Sequence, residues 1–329
     1  MRDRRRQVEQ RAEYDALRTT AGVHLLPRDF VSVSGPDAES FLQGQCSQDV
    51  AALAVGETAE ALLLSPQGKV DAYLRVTRSG DEGFVLDTDE GFGERIIARL
   101  QRFRLRTKVE LGTVPWLCAA VRGPGAGGGM VGQPTFALPV ERPGLSGVDL
   151  VGPRPDGGLG EWVSDDVIRC GDEAWEAARI EAGLPVNGRE VTDTSIAAEL
   201  GLVERTVSFT KGCFTGQELV ARLDSRGSNV ARRLRGLAFG GGAAPLSELP
   251  PLGATVLTAD GSHEVGTLSS VAWSPGRGGA VALATLHRRI TPPEVVQVRW
   301  PSPDPADPTD PTATTVTTEA EAHSLPMGF

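Results

Sequence analysis

The apolar residues of this chain come in short alternating runs cut by glycine and proline, which supply 40 and 23 of its 329 residues. Alternation with period two puts successive side chains on opposite faces of a strand, so the pattern specifies antiparallel sheets with a few short helices. From His24 the text runs through FVSVSG into PDAESFLQGQCSQDV, a strand and then a short helix, with Pro36 suited to a first turn. Residues 59–64 (AEALLL), 70–77 (VDAYLRVT) and 83–87 (GFVLD) continue as a meander, broken at Ser65-Pro66-Gln67-Gly68 and Ser79-Gly80-Asp81. Phe92, Ile96, Leu100 and Phe103 stand at helical spacing and close a first α+β unit.

Strands are expected again around 107–111, 116–122, 135–140 and 147–151, and helices at 172–182, ended by Gly183, and near 195–202. Gly123-Pro124-Gly125-Ala126-Gly127-Gly128 satisfies the GxGxxG spacing, but no helical period follows to hold a pyrophosphate, so it is an ordinary glycine-rich loop. Residues 233–300 are short strands and turns, with an Asp260-Gly261 hairpin signal, and suit a small β-barrel or sandwich. The expected divisions are a helical extension over 1–22, an α+β unit over 23–111, a second over 112–231 interleaved with the first, and a barrel over 232–301. Residues 302–329, rich in Pro, Asp and Thr, are expected to form a disordered tail.

A net charge of −10 argues against general affinity for nucleic-acid phosphates. No apolar run approaches the roughly 18–20 residues of a membrane span, and the basic start lacks a signal peptide's apolar core. A cytoplasmic protein without membrane or direct nucleic-acid partners is expected. Cys46, Cys118, Cys170 and Cys213 lie far apart with no CxxC and no cysteine–histidine cluster, so neither a disulfide framework nor a resident metal is expected.

The densest chemistry lies in FTKGCFTGQELVARLDSR, residues 209–226. Thr215 and Glu218 have capping-box spacing before Leu219, Val220 and Leu223, which predicts a helix from about Gly216 to Gly227 with Cys213 just ahead of its N-terminus. Unpaired N–H groups there, with Lys211 two residues away, favour a thiolate or a bound anion. Against this stands the common role of a lone cysteine as a small core residue. Only three of the 33 basic residues are lysine, Lys69, Lys108 and Lys211, so a lysine in this loop implies a need for a compact ammonium where a guanidinium would not fit.

With RIEAGLPVNGRE upstream and VSVSGPDAESFLQGQCSQDV and ALLLSPQGKVDAYLRV in the first half, KGCFTGQE resembles the YgfZ family, folate-binding relatives of the glycine-cleavage T-protein, over about residues 24–300. The resemblance implies a three-domain cloverleaf of the α+β class around a central hole that accepts tetrahydrofolate, with a C-terminal small β-barrel. It implies a role in assembling or repairing iron–sulfur enzymes, including those that modify tRNA, with assembly machinery or client enzymes as partners and at most transient cluster contact. Carried onto matching positions, Lys211, Gly212, Cys213, Phe214, Gly216, Gln217 and Glu218 form a signature loop facing the hole, with Cys213 the functional thiol and Lys211 its tuning charge. Gln217 is placed among the folate contacts, Glu181 becomes the carboxylate reading the pterin, and Trp175 an aromatic packed on it. On chemistry alone Glu181 reads as a solvated helix residue and Trp175 as a core anchor.

Two positions depart from the pattern. Where aminomethyltransferases carry a catalytic aspartate pair, this chain has Ala72 and Tyr73, and alternation turns the preceding Asp71 to the face opposite Ala72. Where some members have an early tryptophan, it has Arg28, suited to a folate glutamate tail. Three functions follow as alternatives: folate-dependent support of iron–sulfur enzymes, one-carbon transfer with Asp71 polarising an amine, and a scaffold.

Overall fold

The computed structural model describes residues 2–225, 227, 229–240, 248–301 and 315–328. The chain begins with α1 (Arg2–Thr19), β1 (Gly22–Leu26), β2 (Arg28–Ser34), α2 (Ala38–Gln45), β3 (Thr58–Leu64), β4 (Val70–Gly80), β5 (Gly83–Asp89), α3 (Gly93–Gln101) and β6 (Glu110–Val114). It continues with β7 (Trp116–Arg122), β8 (Phe136–Val140), β9 (Gly147–Pro153), β10 (Ile168–Arg169), α4 (Asp172–Ala182), α5 (Ala197–Leu200), α6 (Val203–Thr206) and α7 (Gln217–Asp224). The last six strands are β11 (Arg232–Phe239), β12 (Thr255–Thr258), β13 (Glu264–Ser274), β14 (Gly279–His287), β15 (Glu294–Pro301) and β16 (Thr315–His323). The fold is α+β, with two five-stranded sheets and a closed six-stranded barrel.

The first sheet has the order β3-β4-β5-β2-β6 and the second β10-β1-β7-β9-β8. Chain order and sheet membership therefore cross. β1 pairs with β7 in the second sheet, while β6, which spans the expected boundary at 111, pairs with β2 in the first. Alternation does its predicted work in β4, where Ala72, Leu74 and Val76 enter the apolar core beneath α2 and α3. The glycine-rich loop after β7 tucks against α1: a Cβ on Gly123 would lie 2.6 Å, and one on Gly125 3.0 Å, from the Thr20 carbonyl oxygen, so close packing explains these two glycines.

The tail departs from expectation. Residues 302–314 lie outside the described residues, but 315–323 form β16, which closes the barrel between β15 and β11. The segment TVTTEAEAH has no bulky apolar run, yet Ala320 and Ala322 fill a barrel interior already narrowed by Ala280, Ala282 and Ala284. Small residues suffice there, so the segment's polarity gave no warning. Among the described residues no helix is long and apolar enough to cross a membrane.

Between the sheets an apolar plug of Phe30, Val85, Cys118, Leu138 and Val151 adjoins a buried ionic network. Arg75 on β4 donates from Nε to Asp87 at 3.0 Å and from Nη1 to Asp149 on β9, bridging the two sheets. Arg28 holds Asp87 and also Asp89, at 3.0 Å, and Arg122 on β7 pairs with Asp149 at 2.6 Å. Burial alone would raise the Asp149 carboxyl, but Arg122 and Arg75 hold it below its ordinary value.

A depressed carboxyl contributes stability in full above its unfolded pKa of 3.8 and loses it as pH falls through the folded value. Asp149→Asn should cost about 3–5 kcal/mol at pH 7, since Arg122 loses its carboxylate partner. Urea titrations at pH 7 and pH 3 should show a smaller acid loss in the variant than in the parent.

Candidate functional site

A central cavity of about 1110 Å³ is bounded by both sheets, α4, the 184–189 turn and the 249–252 segment of the barrel. α4 forms because DEAWEAARIEA is rich in helix formers and ends at Gly183, which adopts φ +70. It brings Trp175, Glu176 and Arg179 to the wall. Trp175 is 8% exposed, stacked on His24 with centroids 5.0 Å apart, and the Arg122 guanidinium lies 5.4 Å from its ring centroid. Arg122 Nε, buried, has no hydrogen-bond partner among the described residues. Tyr73 lines the same cavity from β4, its backbone N–H held by Asn187 Oδ1 at 2.9 Å.

On another part of the wall Arg142 and Arg205 both reach Glu60, Arg205 at 3.8 Å. Burial, and then Arg205, lower the Arg142 guanidinium to about 10. Two cations on one carboxylate leave local positive charge in a concave site. Neither arginine stands out in the sequence, because their meeting depends on the folding of three distant segments.

The sequence-predicted residues divide between three places. Trp175 and Arg28 border the cavity, but Arg28 is committed to Asp87 and Asp89, so it has no free guanidinium edge for a glutamate tail. Glu181 lies elsewhere. It is fully buried, accepts hydrogen bonds from Tyr14 at 2.6 Å, Arg18 and Ser274, and does not line the cavity. A carboxylate engaged by three donors pins α1 to α4 and the barrel, and it is a poor candidate for reading a pterin.

The signature loop does not line the cavity either, contrary to expectation. It lies on the β3–β4 turn: Gly216 adopts φ +82, and a Cβ there would sit 2.4 Å from Ser65 O. Phe214 packs against Leu62, Leu64, Val70 and Val220. The capping box does not form. Gly216 is the N-cap without a side-chain bond, and Gln217 Oε1 accepts from Phe214 N–H at 3.1 Å. Gln217 is therefore a loop brace and α7 stops at Asp224. Gly212, Cys213 and Glu218 are exposed.

Lys211 is not aimed at the thiol. Its ammonium donates to the carbonyls of Gln43, Cys46 and Gln48 at 2.6, 2.8 and 2.8 Å, capping the C-terminal end of α2. Three carbonyls converging on one point suit an ammonium with three donors, which a planar guanidinium cannot copy. Burial lowers its pKa. Asp71 is also outside the cavity, bound to Arg99 Nε at 2.8 Å.

A model of the GCVT N-terminal domain matches residues 3–130. An uncharacterized protein of Haemophilus influenzae is 32% identical over 209 residues, 63% of this chain and 70% of its own length. The tRNA-modifying protein YgfZ of Klebsiella pneumoniae is 30% identical over 228 residues, 60% of this chain and 65% of its own length. The glycine cleavage system aminomethyltransferase T of Bartonella henselae superposes with a TM-score of 0.75 at 20% identity, covering 97% of this chain and 89% of that one. Two interleaved sheets and a barrel around a cavity are thus the aminomethyltransferase T fold. Within it, the chain belongs to the YgfZ-type branch of the GcvT-like family.

Lys211→Met should cost about 1–3 kcal/mol by stranding the carbonyls at the end of α2, and Lys211→Arg should not restore it, whereas Cys213→Ser should stay within about 0.5 kcal/mol. Glu181→Gln should cost about 3–5 kcal/mol while leaving ligand affinity in the cavity unchanged. Denaturant melts and calorimetric titrations check both.

Proposed function

We propose that this protein binds tetrahydrofolate in the central cavity and supports the assembly or repair of iron–sulfur enzymes, including tRNA-modifying ones, without itself transferring an aminomethyl group. The observation that carries the proposal is the composition of the cavity wall. It presents aromatic Trp175 and Tyr73 for a flat ring and the Arg142–Arg205 pair for carboxylates, and it places no Asp71 among them. The volume, about 1110 Å³, lies just above the roughly 300–1,000 Å³ that holds a drug-sized ligand.

Arg142 and Arg205 take over the tail-binding role first assigned to Arg28. The Tyr73 position argues against transfer chemistry, because a neutral phenol replaces a carboxylate. Burial raises its pKa, so it stays un-ionised. The iron–sulfur part of the proposal draws support from relatives named tRNA-modifying protein YgfZ. In it the exposed Cys213 is the thiol that meets a cytoplasmic partner or a transient cluster.

The structural likeness to an aminomethyltransferase favours a second function, one-carbon transfer. Turnover of an aminomethyl donor to methylene-tetrahydrofolate, abolished by Asp71→Asn, would establish it. Under the first proposal no turnover occurs. Calorimetry should show tetrahydrofolate binding that Trp175→Ala weakens by about tenfold or more, equivalent to 1.4 kcal/mol. Cys213→Ala should bind the ligand normally but fail to restore iron–sulfur enzyme activity in a deletion strain.

A further inference from the structure

His24 carries no role in the function proposed above, yet its surroundings fix both its tautomer and its charge. Its Nδ1 lies 2.9 Å from the Cys170 carbonyl oxygen. A carbonyl only accepts, so Nδ1 carries the proton and Nε2 of the neutral ring is left with a lone pair. Burial lowers the imidazole's pKa, so the ring is neutral at physiological pH. Among the described residues Nε2 makes no hydrogen bond; its ionic neighbour is Asp172 Oδ1 at 3.9 Å, and both residues border the cavity. The ring is held in place by its stack on Trp175, tilted only 12° from parallel.

Arg122, whose guanidinium lies 5.4 Å from the same ring centroid, is 3% exposed, and its Nε–H is buried without an acceptor among the described residues. The wall thus offers one acceptor, His24 Nε2, on a side chain that packing has already immobilised.

We propose that His24 is a positioning residue for the cavity's ligand: Nε2 accepts a hydrogen bond from a ring N–H, so the site reads a planar nitrogen heterocycle by its edge. This rests on the folate proposal and deepens it, since it assigns to His24 the edge recognition that buried Glu181 does not supply. The sign of the pH effect follows from the tautomer. Protonation turns Nε2 into a donor facing a donor, so binding is strongest with neutral His24 and weakens as pH falls through its pKa. The charges around the ring come from three elements: Glu13 on α1, Arg122 on β7 and Asp172 on α4. The Asp172 and Glu13 carboxylates favour the protonated ring, and Arg122 opposes it.

Calorimetric titration of the full-length protein with tetrahydrofolate, kept reduced with ascorbate, over pH 5.5–8 tests this. Wild type should bind with constant affinity above pH 7 and weaken as pH falls through the His24 pKa, which burial holds below its ordinary 6.5. His24→Leu should bind about tenfold more weakly at pH 7.5, and His24→Gln, which keeps an acceptor, within about threefold of wild type; both should lose the wild-type pH dependence. If both variants keep the wild-type affinity and pH profile, the role of His24 is overturned while the folate proposal stands. If wild type does not bind tetrahydrofolate at any pH, the folate proposal itself fails. Long-range ¹H–¹⁵N spectra of the imidazoles provide a check that needs no variant. They should show unprotonated Nε2 in the free protein and a shifted Nε2 resonance on adding ligand, and a protonated Nε2 at pH 7 would overturn the assignment.

Discussion

The buried exchange of charge between Arg75, Asp87 and Asp149 is the contact on which the central architecture depends. It joins a strand of the first sheet to a strand of the second, and Arg28 completes it through Asp87 and Asp89 and Arg122 through Asp149. Ions removed from water are costly unless every partner is in register, so the network penalises any displacement of one sheet relative to the other. The apolar plug alone would tolerate sliding. The cavity lies where the two sheets meet, and Arg28, Arg75, Arg122, Asp89 and Asp149 all contribute to its wall. Residues that fix the position of the sheets therefore also shape the site, which leaves Arg28 unavailable as a simple ligand anchor.

Lys211 shows the same logic at a smaller scale. Its ammonium gathers three backbone carbonyls at the end of α2 and so fastens the signature loop to the first sheet, leaving Cys213 at the surface. The loop and the cavity are distinct features of the molecule. A thiol presented to partners and a ligand held inside need not touch, and the fold supplies a rigid connection between them through β3 and β4, whose turn supports the loop and whose strands border the cavity.

Most strands of the two sheets and helix α4 were legible because alternation, helical spacing and Gly183 encode them locally, whereas β1 and the two-residue β10 were not. The scarcity of lysine correctly marked Lys211 as special, but its purpose was not legible, because the carbonyls it binds lie more than 160 residues earlier. Glu181 was misplaced for a related reason: whether a helical carboxylate faces a cavity or a core depends on what else packs there, and Tyr14 and Arg18 come from the N-terminal extension. The strand at 315–323 was missed because its inward residues are alanines, which suit a barrel interior but carry little hydrophobic signal. His24, Arg142 and Arg205 left no trace in any local pattern.

The central claim is that ligand binding belongs to the cavity beside Trp175 and not to the loop around Cys213. A crystal structure of the protein with tetrahydrofolate tests it most directly. The predicted result is a pterin within contact of Trp175, His24 and Tyr73, its carboxylates toward Arg142 and Arg205. A ligand seated against residues 211–218, or against Glu181 with Tyr14 and Arg18 displaced, would contradict it.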